Sequence, residues 1–176
     1  MVHPIILFIG NLIPSKVPEN YVRSLELLNA NGINFSAILI GSGPLKPKLK
    51  GLIQDLGLDN KLKMLGEISF NIINEYYACA DILILPSLAE GLPRVILEAE
   101  SAETAIIATN IAGIPEALKH NETGILITTN DKNAIYNAII KCLDKNRYIR
   151  MGKKGRLLVQ DRFSWENNVK KYMKIY

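Results

Sequence analysis

Leu85-Pro86-Ser87-Leu88-Ala89-Glu90-Gly91-Leu92-Pro93-Arg94-Val95-Ile96-Leu97-Glu98 is the stretch from which the fold follows. An apolar strand pattern, Ile82 to Leu85, stops at Pro86. A helical pattern follows that Pro93 is placed to start, because proline is favoured at the first helical position. The stretch therefore reads strand, loop, helix. Its loop carries Glu90 and Gly91, so the N–H groups of a helix N-terminus, a carboxylate and a glycine permitting close backbone approach converge on one spot. Such a spot suits an anion. Glu98 follows Glu90 by eight residues and lies roughly 7 to 8 Å along the helix from Pro93. The two carboxylates can flank one ligand.

Outward from this centre the same alternation repeats. Ile5 to Ile9 is predicted as a buried strand, Pro18 to Asn31 as a helix with Tyr21, Leu25 and Leu28 on one face and Gly32 as its stop, and Phe35 to Ile40 as a second strand. Gly41-Ser42-Gly43-Pro44 turns into a helix reaching about Leu56, Leu62 to Leu65 is a short strand, and Asn71 to Ala80 a helix. After the central helix come Ile106 to Ala108 as strand, Ile114 to Lys119 as a short helix and Gly124 to Ile127 as strand. From Asn130 the pattern is helical, with breaks near Asn146 and Arg162. Short, uniformly apolar strands must be covered on both faces, and alternation with helices joins them by right-handed crossovers, which makes them parallel. The predicted class is α/β, a doubly wound, mostly parallel six-stranded Rossmann-like sheet with helices on both faces. Ligands of such sheets sit beyond the carboxyl ends of the strands, here at Gly10-Asn11, Gly41-Ser42-Gly43, Gly66-Glu67, Pro86-Ser87 and Thr109-Asn110. No repeat, low-complexity segment or linker divides the chain, and residues 1–176 read as one domain.

A chain of 176 residues can bury roughly 70% of the surface its unfolded form exposes. Its 48% apolar and 22% charged residues exclude the composition of disorder. The formal charge of +4 is concentrated late, at Lys141, Lys145, Arg147, Arg150, Lys153, Lys154, Arg156, Lys170, Lys171 and Lys174. This cluster reads as a solvated helical face, with an anionic membrane surface or lipid headgroup as its functional alternative. Nucleic acid is not an expected partner, since no aromatic residues interleave with the cluster as a stacking platform. Cys79 and Cys142 show neither metal spacing nor a C-x-x-C pair and read as small core residues of a reducing compartment; His3 and His120 are likewise alone, so no metal is expected. Ile5 to Ile9 is shorter than a signal sequence's apolar region and lacks a basic flank, and nothing spans a membrane. The expected location is cytoplasmic, with peripheral contact at the inner membrane face as the variant that the basic cluster allows.

A dinucleotide dehydrogenase shows G-x-G-x-x-G directly after its first strand, whereas Gly10-Asn11-Leu12-Ile13-Pro14-Ser15-Lys16 stands there in this chain, and the P-loop pattern is absent too. Gly41-Ser42-Gly43 alone is as readily a tight turn as a phosphate loop. Taken in order, however, seven elements form a pattern: Gly10 to Lys16, G-S-G-P at 41–44, Leu65-Gly66, A-D-I-L-I-L-P-S at 80–87, E-G-L-P-R-V-I-L-E-A at 90–99, A-G-I-P-E at 112–116 and F-S-W-E at 163–166. The chain resembles the C-terminal, nucleotide-sugar-binding domain of GT-B glycosyltransferases, specifically the retaining family 4 group. The E-x7-E element between P-S and G-I-P-E is the specific part, and the resemblance covers nearly the whole chain.

That resemblance implies roles. Glu90 would be the catalytic residue, contacting donor-sugar hydroxyls near the reacting carbon, and Glu98 would hold the ribose hydroxyls. The pyrophosphate would lie against the backbone of Gly91, Leu92, Pro93 and Arg94 and the ammonium of Lys16, with Asn11, Gly41 and Gly43 at the neighbouring strand ends and Ile68 touching the base. A diphosphate leaving group gains negative charge in the transition state, which a helix dipole and a lysine stabilise without a metal. No cofactor or metal is therefore expected beside a UDP- or GDP-sugar donor. A carboxylate can accept from two neighbouring hydroxyls, which suits both glutamates. In the purely structural alternative Glu90 caps the helix and Glu98 faces solvent.

Three departures from the family pattern matter. Asn11 stands where an arginine usually pairs with the diphosphate. Glu103 and Ala105 replace a glycine and a proline that normally end the central helix and set the next strand, so an irregular helix end is expected. Glu100 replaces a residue that is usually apolar. Enzymes of this architecture carry the acceptor and part of the catalytic apparatus on an N-terminal domain, whereas this chain opens almost at the first strand of the second. The expectation is the donor-binding half of a retaining hexosyltransferase, inactive in isolation, whose N-terminal acceptor domain is absent and whose acceptor is a saccharide or lipid-linked. The alternatives are a non-catalytic nucleotide-sugar-binding or scaffold module, and half of a GT-B nucleotide-sugar epimerase.

Overall fold

The computed structural model describes residues 3–128 and 131–163, with 169 and 173. Six described strands form one sheet: β1 (Ile5–Ile9), β2 (Ser36–Ile40), β3 (Leu62–Gly66), β4 (Ile82–Leu85), β5 (Ala105–Thr109) and β6 (Gly124–Ile127). Their order is β3-β2-β1-β4-β5-β6, and each pairing is parallel. The helices are α1 (Pro18–Ala30), α2 (Lys46–Asp55), α3 (Phe70–Cys79), α4 (Arg94–Ser101), α5 (Ile114–Ala117), α6 (Lys132–Leu143) and α7 (Arg147–Arg162). The doubly wound parallel sheet expected from the alternation is present.

Side chains alternate across each strand, and the alternation sorts the core into two layers. Ile6 and Phe8 of β1 pack with Tyr21 and Leu25 of α1, Leu49 of α2 and Ile139 of α6 on one face. Leu7 packs with Tyr77 of α3, Ile96 of α4 and Ile114 of α5 on the other. These side chains are fully or nearly fully buried, and each contributes about 1.5–3 kcal/mol by leaving water. All four residues of β4 and all five of β5 are buried, as the central strands of a two-sided sheet must be. The strand order reverses between β1 and β4, which opens a crevice at their carboxyl ends.

Several local expectations are corrected. Pro93 is not the first residue of α4 but its N-cap, with ψ 118 in the extended region, and helical dihedrals begin at Arg94. The preceding loop is held to the loop after β1 by a hydrogen bond from Leu88 N–H to the Ser15 carbonyl at 2.7 Å. The C-terminal end of α4 is regular rather than irregular: Thr104 N–H reaches the Ala99 carbonyl at 3.0 Å and Glu103 N–H the Glu100 carbonyl at 3.1 Å, the paired bonds of a Schellman ending. Glu103 takes the left-handed conformation itself, with φ 63. Cys79 is exposed at the end of α3, while Cys142 is buried as expected. The late basic residues Lys141, Arg150, Lys153, Lys154 and Arg156 are exposed on α6 and α7. Residues 164–166 of the F-S-W-E element, the basic positions 170, 171 and 174, and the expected helix start at 130 lie outside the described residues. Among the described residues no helix is long and apolar enough to cross a membrane.

Candidate functional site

Backbone bonds between loops assemble the crevice. Leu12 N–H bonds to the Ser42 carbonyl at 2.8 Å and Leu45 N–H to the Leu12 carbonyl at 3.0 Å, so the loops after β1 and β2 run against each other. Gly41 (φ 140) and Gly43 (φ 153) permit that approach: a Cβ at Gly41 would lie 1.9 Å from the Gly10 carbonyl oxygen, and one at Gly43 2.6 Å from that of Leu12. Both glycines are fixed by the packing of strand-end loops before any ligand is considered.

Beyond these strand ends lies a cleft of about 370 Å³. Of the residues singled out from sequence, it brings together Asn11, Gly41, Ile68, Arg94 and Glu98. Gly43, Lys16, Glu90, Gly91, Leu92 and Pro93 are not in its lining. Gly91 and Leu92 are exposed at the approach to α4, and Pro93 is buried. No side chain caps α4, so its first N–H groups have no side-chain partner. Arg94 brings a cation to the cleft that Asn11, in the same lining, does not.

The two glutamates have different surroundings. Glu98, on α4, is partly buried and accepts a hydrogen bond at Oε2 from the Tyr77 hydroxyl of α3 at 2.8 Å. It does not simply face solvent. Burial first, then the hydrogen bond to Glu98 and its charge, push the Tyr77 hydroxyl well above the usual phenol range, so Tyr77 keeps its proton and donates a hydrogen bond to the carboxylate at all ordinary pH. Glu90 does not cap the helix. Its Oε1 accepts from the Lys16 ammonium at 2.5 Å and from the Ser87 hydroxyl at 2.6 Å. The Glu90 side chain is 8% exposed and that of Lys16 22%. Ser87 is itself fully buried, and its carbonyl accepts from the Thr109 hydroxyl at 2.7 Å. Lys16 and Glu90 thus join the segments after β1 and β4, the first of which carries Asn11 and the second of which leads into Arg94 at the start of α4.

A reading of the sequence misses Tyr77 and Phe70, and places Ser87 at a strand end without its bond to Glu90. Tyr77 falls on the buried face of its helix, four residues after Ile73, and a buried tyrosine hydroxyl needs a partner, which could have directed it to a carboxylate. Ser87 stands three residues before Glu90. Phe70, 74% exposed, lines the cleft beside Ile68 and Ile73. The cleft therefore has an apolar end and a polar end. Chemically it can seat a flat apolar group against Ile68 and Phe70, a diol at Glu98, and an anion at the start of α4 with Arg94 and, once released from Glu90, Lys16. Among the described residues no group of three or more His, Cys, Asp or Glu side chains is gathered in a way that could hold a metal ion.

The family model described as glycosyl transferases group 1 matches residues 2–158. Among curated proteins, the chain is 27% identical to the GDP-mannose-dependent alpha-(1-6)-phosphatidylinositol monomannoside mannosyltransferase of Mycobacterium tuberculosis over 171 residues, covering 93% of this chain and 44% of that protein. It is 30% identical to the UDP-Gal:alpha-D-GlcNAc-diphosphoundecaprenol alpha-1,3-galactosyltransferase of Escherichia coli over 171 residues, 96% of this chain and 44% of that protein. Among solved structures, sucrose-phosphate synthase from Thermosynechococcus elongatus superposes with a TM-score of 0.88 at 28% identity, covering 99% of this chain and 45% of that one. The chain spans less than half the length of these curated relatives.

Proposed function

The chain belongs to the family of glycosyl transferases group 1, with the Rossmann-like fold of a GT-B domain, and from that membership we propose that it is the donor-binding part of a retaining hexosyltransferase using a UDP- or GDP-sugar. The observation that carries the proposal is the gathering of Asn11, Arg94 and Glu98 in one cleft beyond the strand ends, with the Lys16–Glu90 pair joining the segments after β1 and β4. In this reading the base lies against Ile68, the ribose diol donates to Glu98, and the diphosphate rests at the uncapped start of α4. Lys16 and the helix dipole stabilise the charge that develops on the leaving group, without a metal. Glu90 accepts hydrogen bonds from the sugar next to the reacting carbon. A second domain, of the kind that the greater length of the relatives accommodates, would supply a saccharide or lipid-linked acceptor, so the chain alone transfers no sugar. The relatives named above use GDP-mannose and UDP-Gal by their names, which supports a sugar nucleotide as the ligand class. Calorimetry of metal-stripped protein with UDP and GDP tests the reading. Weak binding of one of them is expected, and binding of neither overturns it.

A further inference from the structure

Glu90 Oε1 receives two hydrogen bonds at once, from Lys16 and from Ser87. The pair is drawn out of solvent, with side-chain exposures of 22% and 8%, so neither charge is left over for a ligand. Resting on the donor-binding reading above, we infer that the Lys16–Glu90 ion pair is a gate that makes this site favour an intact sugar nucleotide over the bare nucleoside diphosphate.

A diphosphate that recruits Lys16 takes the cation from Glu90 and leaves a nearly buried carboxylate with Ser87 as its remaining donor. An unpaired carboxylate in such a place is costly, and a neighbouring diphosphate adds like-charge repulsion. A hexose attached to that diphosphate brings hydroxyl donors to the carboxylate and replaces the lost ammonium. The sugar thus relieves the charge that its own diphosphate uncovers. Ser87 is suited to remain in place while Lys16 moves, because it is fully buried and its carbonyl is held by the Thr109 hydroxyl at 2.7 Å. After transfer the sugar is gone and the carboxylate again opposes the diphosphate, so the gate also favours departure of the product.

The test is calorimetry with wild type and Glu90→Gln, using UDP against UDP-glucose and GDP against GDP-mannose. Glu90→Gln frees Lys16 and is expected to bind the bare diphosphate roughly three- to tenfold tighter, while binding the sugar nucleotide more weakly, so that the preference reverses. A Glu90→Gln protein with a wild-type melting curve whose affinity for the bare diphosphate is unchanged or lower overturns the gate. A second measurement needs no variant: excess free hexose, against a glycerol control, should tighten nucleoside diphosphate binding to wild type by positive linkage, and absence of that effect overturns the gate as well. Wild type that binds no nucleotide would instead overturn the donor-binding reading, and the gate with it.

Discussion

The Tyr77 hydroxyl of α3 donates to Glu98 Oε2 of α4 at 2.8 Å, so a carboxylate lining the cleft is oriented by a side chain of the neighbouring helix. Tyr77→Phe removes that donor and keeps the buried ring. Because Tyr77 orients Glu98 and does not itself touch the ligand, only part of that hydrogen bond's energy reaches binding, and roughly a three- to tenfold loss of affinity is expected. The loss should appear with a nucleoside diphosphate, should shrink with its 2′-deoxy form, and should be absent with inorganic pyrophosphate. Equal weakening of pyrophosphate would show that Tyr77 acts on the whole cleft and not through Glu98.

Lys16→Ala should weaken nucleoside diphosphate binding about tenfold or more, the loss expected when one charged partner of a phosphate is removed. The salt dependence of binding should also become shallower, because one cation fewer meets the diphosphate. Titrations at two ionic strengths check both. An unchanged affinity would remove Lys16 from the site.

Much of this was legible because parallel central strands are buried on both faces. Ile82 to Leu85 and Ala105 to Thr109 show as unbroken apolar runs for that reason. Asn11 and Gly41 were legible as cleft residues because they stand at strand ends, and Arg94 because it stands at the helix start after one, whereas Ile68 was named through the family resemblance, and Glu98 through its spacing from Glu90 together with that resemblance. Pairings through space were not legible. Lys16 and Glu90 are 74 residues apart, and nothing local to either says that they meet. The end of α4 was misread because a glycine was expected to stop the helix. Here Glu103 adopts the left-handed conformation, with its backbone under Gly152 of α7, where a Cβ would lie 1.7 Å from the Glu103 carbonyl oxygen. Tertiary packing holds a dihedral that local propensity disfavours.

Val17, beside Lys16, is a β-branched residue at φ 47 and ψ 48, a conformation that costs a non-glycine residue roughly 1–2 kcal/mol. Val17→Gly relieves that strain but loses part of the side chain's burial and gives the unfolded chain more freedom. A net gain of about 0.5–1 kcal/mol is expected, equivalent to a rise of about 1–4 °C in Tm for a domain of this size. Thermal melting measures it, and a fall in Tm would mean that the Val17 side chain contributes more by packing than its backbone costs.

Glu100 gives a pH dependence whose sign can be worked out. It is fully buried on α4, with α7 so close that a Cβ on Gly155 would sit 3.0 Å from its Cγ, and its carboxylate oxygens make no well-formed hydrogen bond, with Thr123 the one polar side chain that acts on them. Burial pushes its pKa from the ordinary 4.5 to about 8, with the Thr123 side chain drawing it partly back. The folded protein therefore holds a proton at Glu100 that the unfolded chain releases. Stability from this group is full below pH 4.5, falls as the pH rises, and levels off above about 8. The loss is roughly 3 kcal/mol by neutral pH. Glu100→Met replaces the carboxyl by an apolar side chain of similar length and should both raise stability at neutral pH and flatten its slope between acid and mildly alkaline conditions. Glu100→Gln should flatten the slope as well but stabilise less, because a buried amide still lacks partners. Denaturant unfolding of the three proteins across that pH range checks the claim: a Glu100→Met protein that kept the wild-type slope would show that another group takes up the proton.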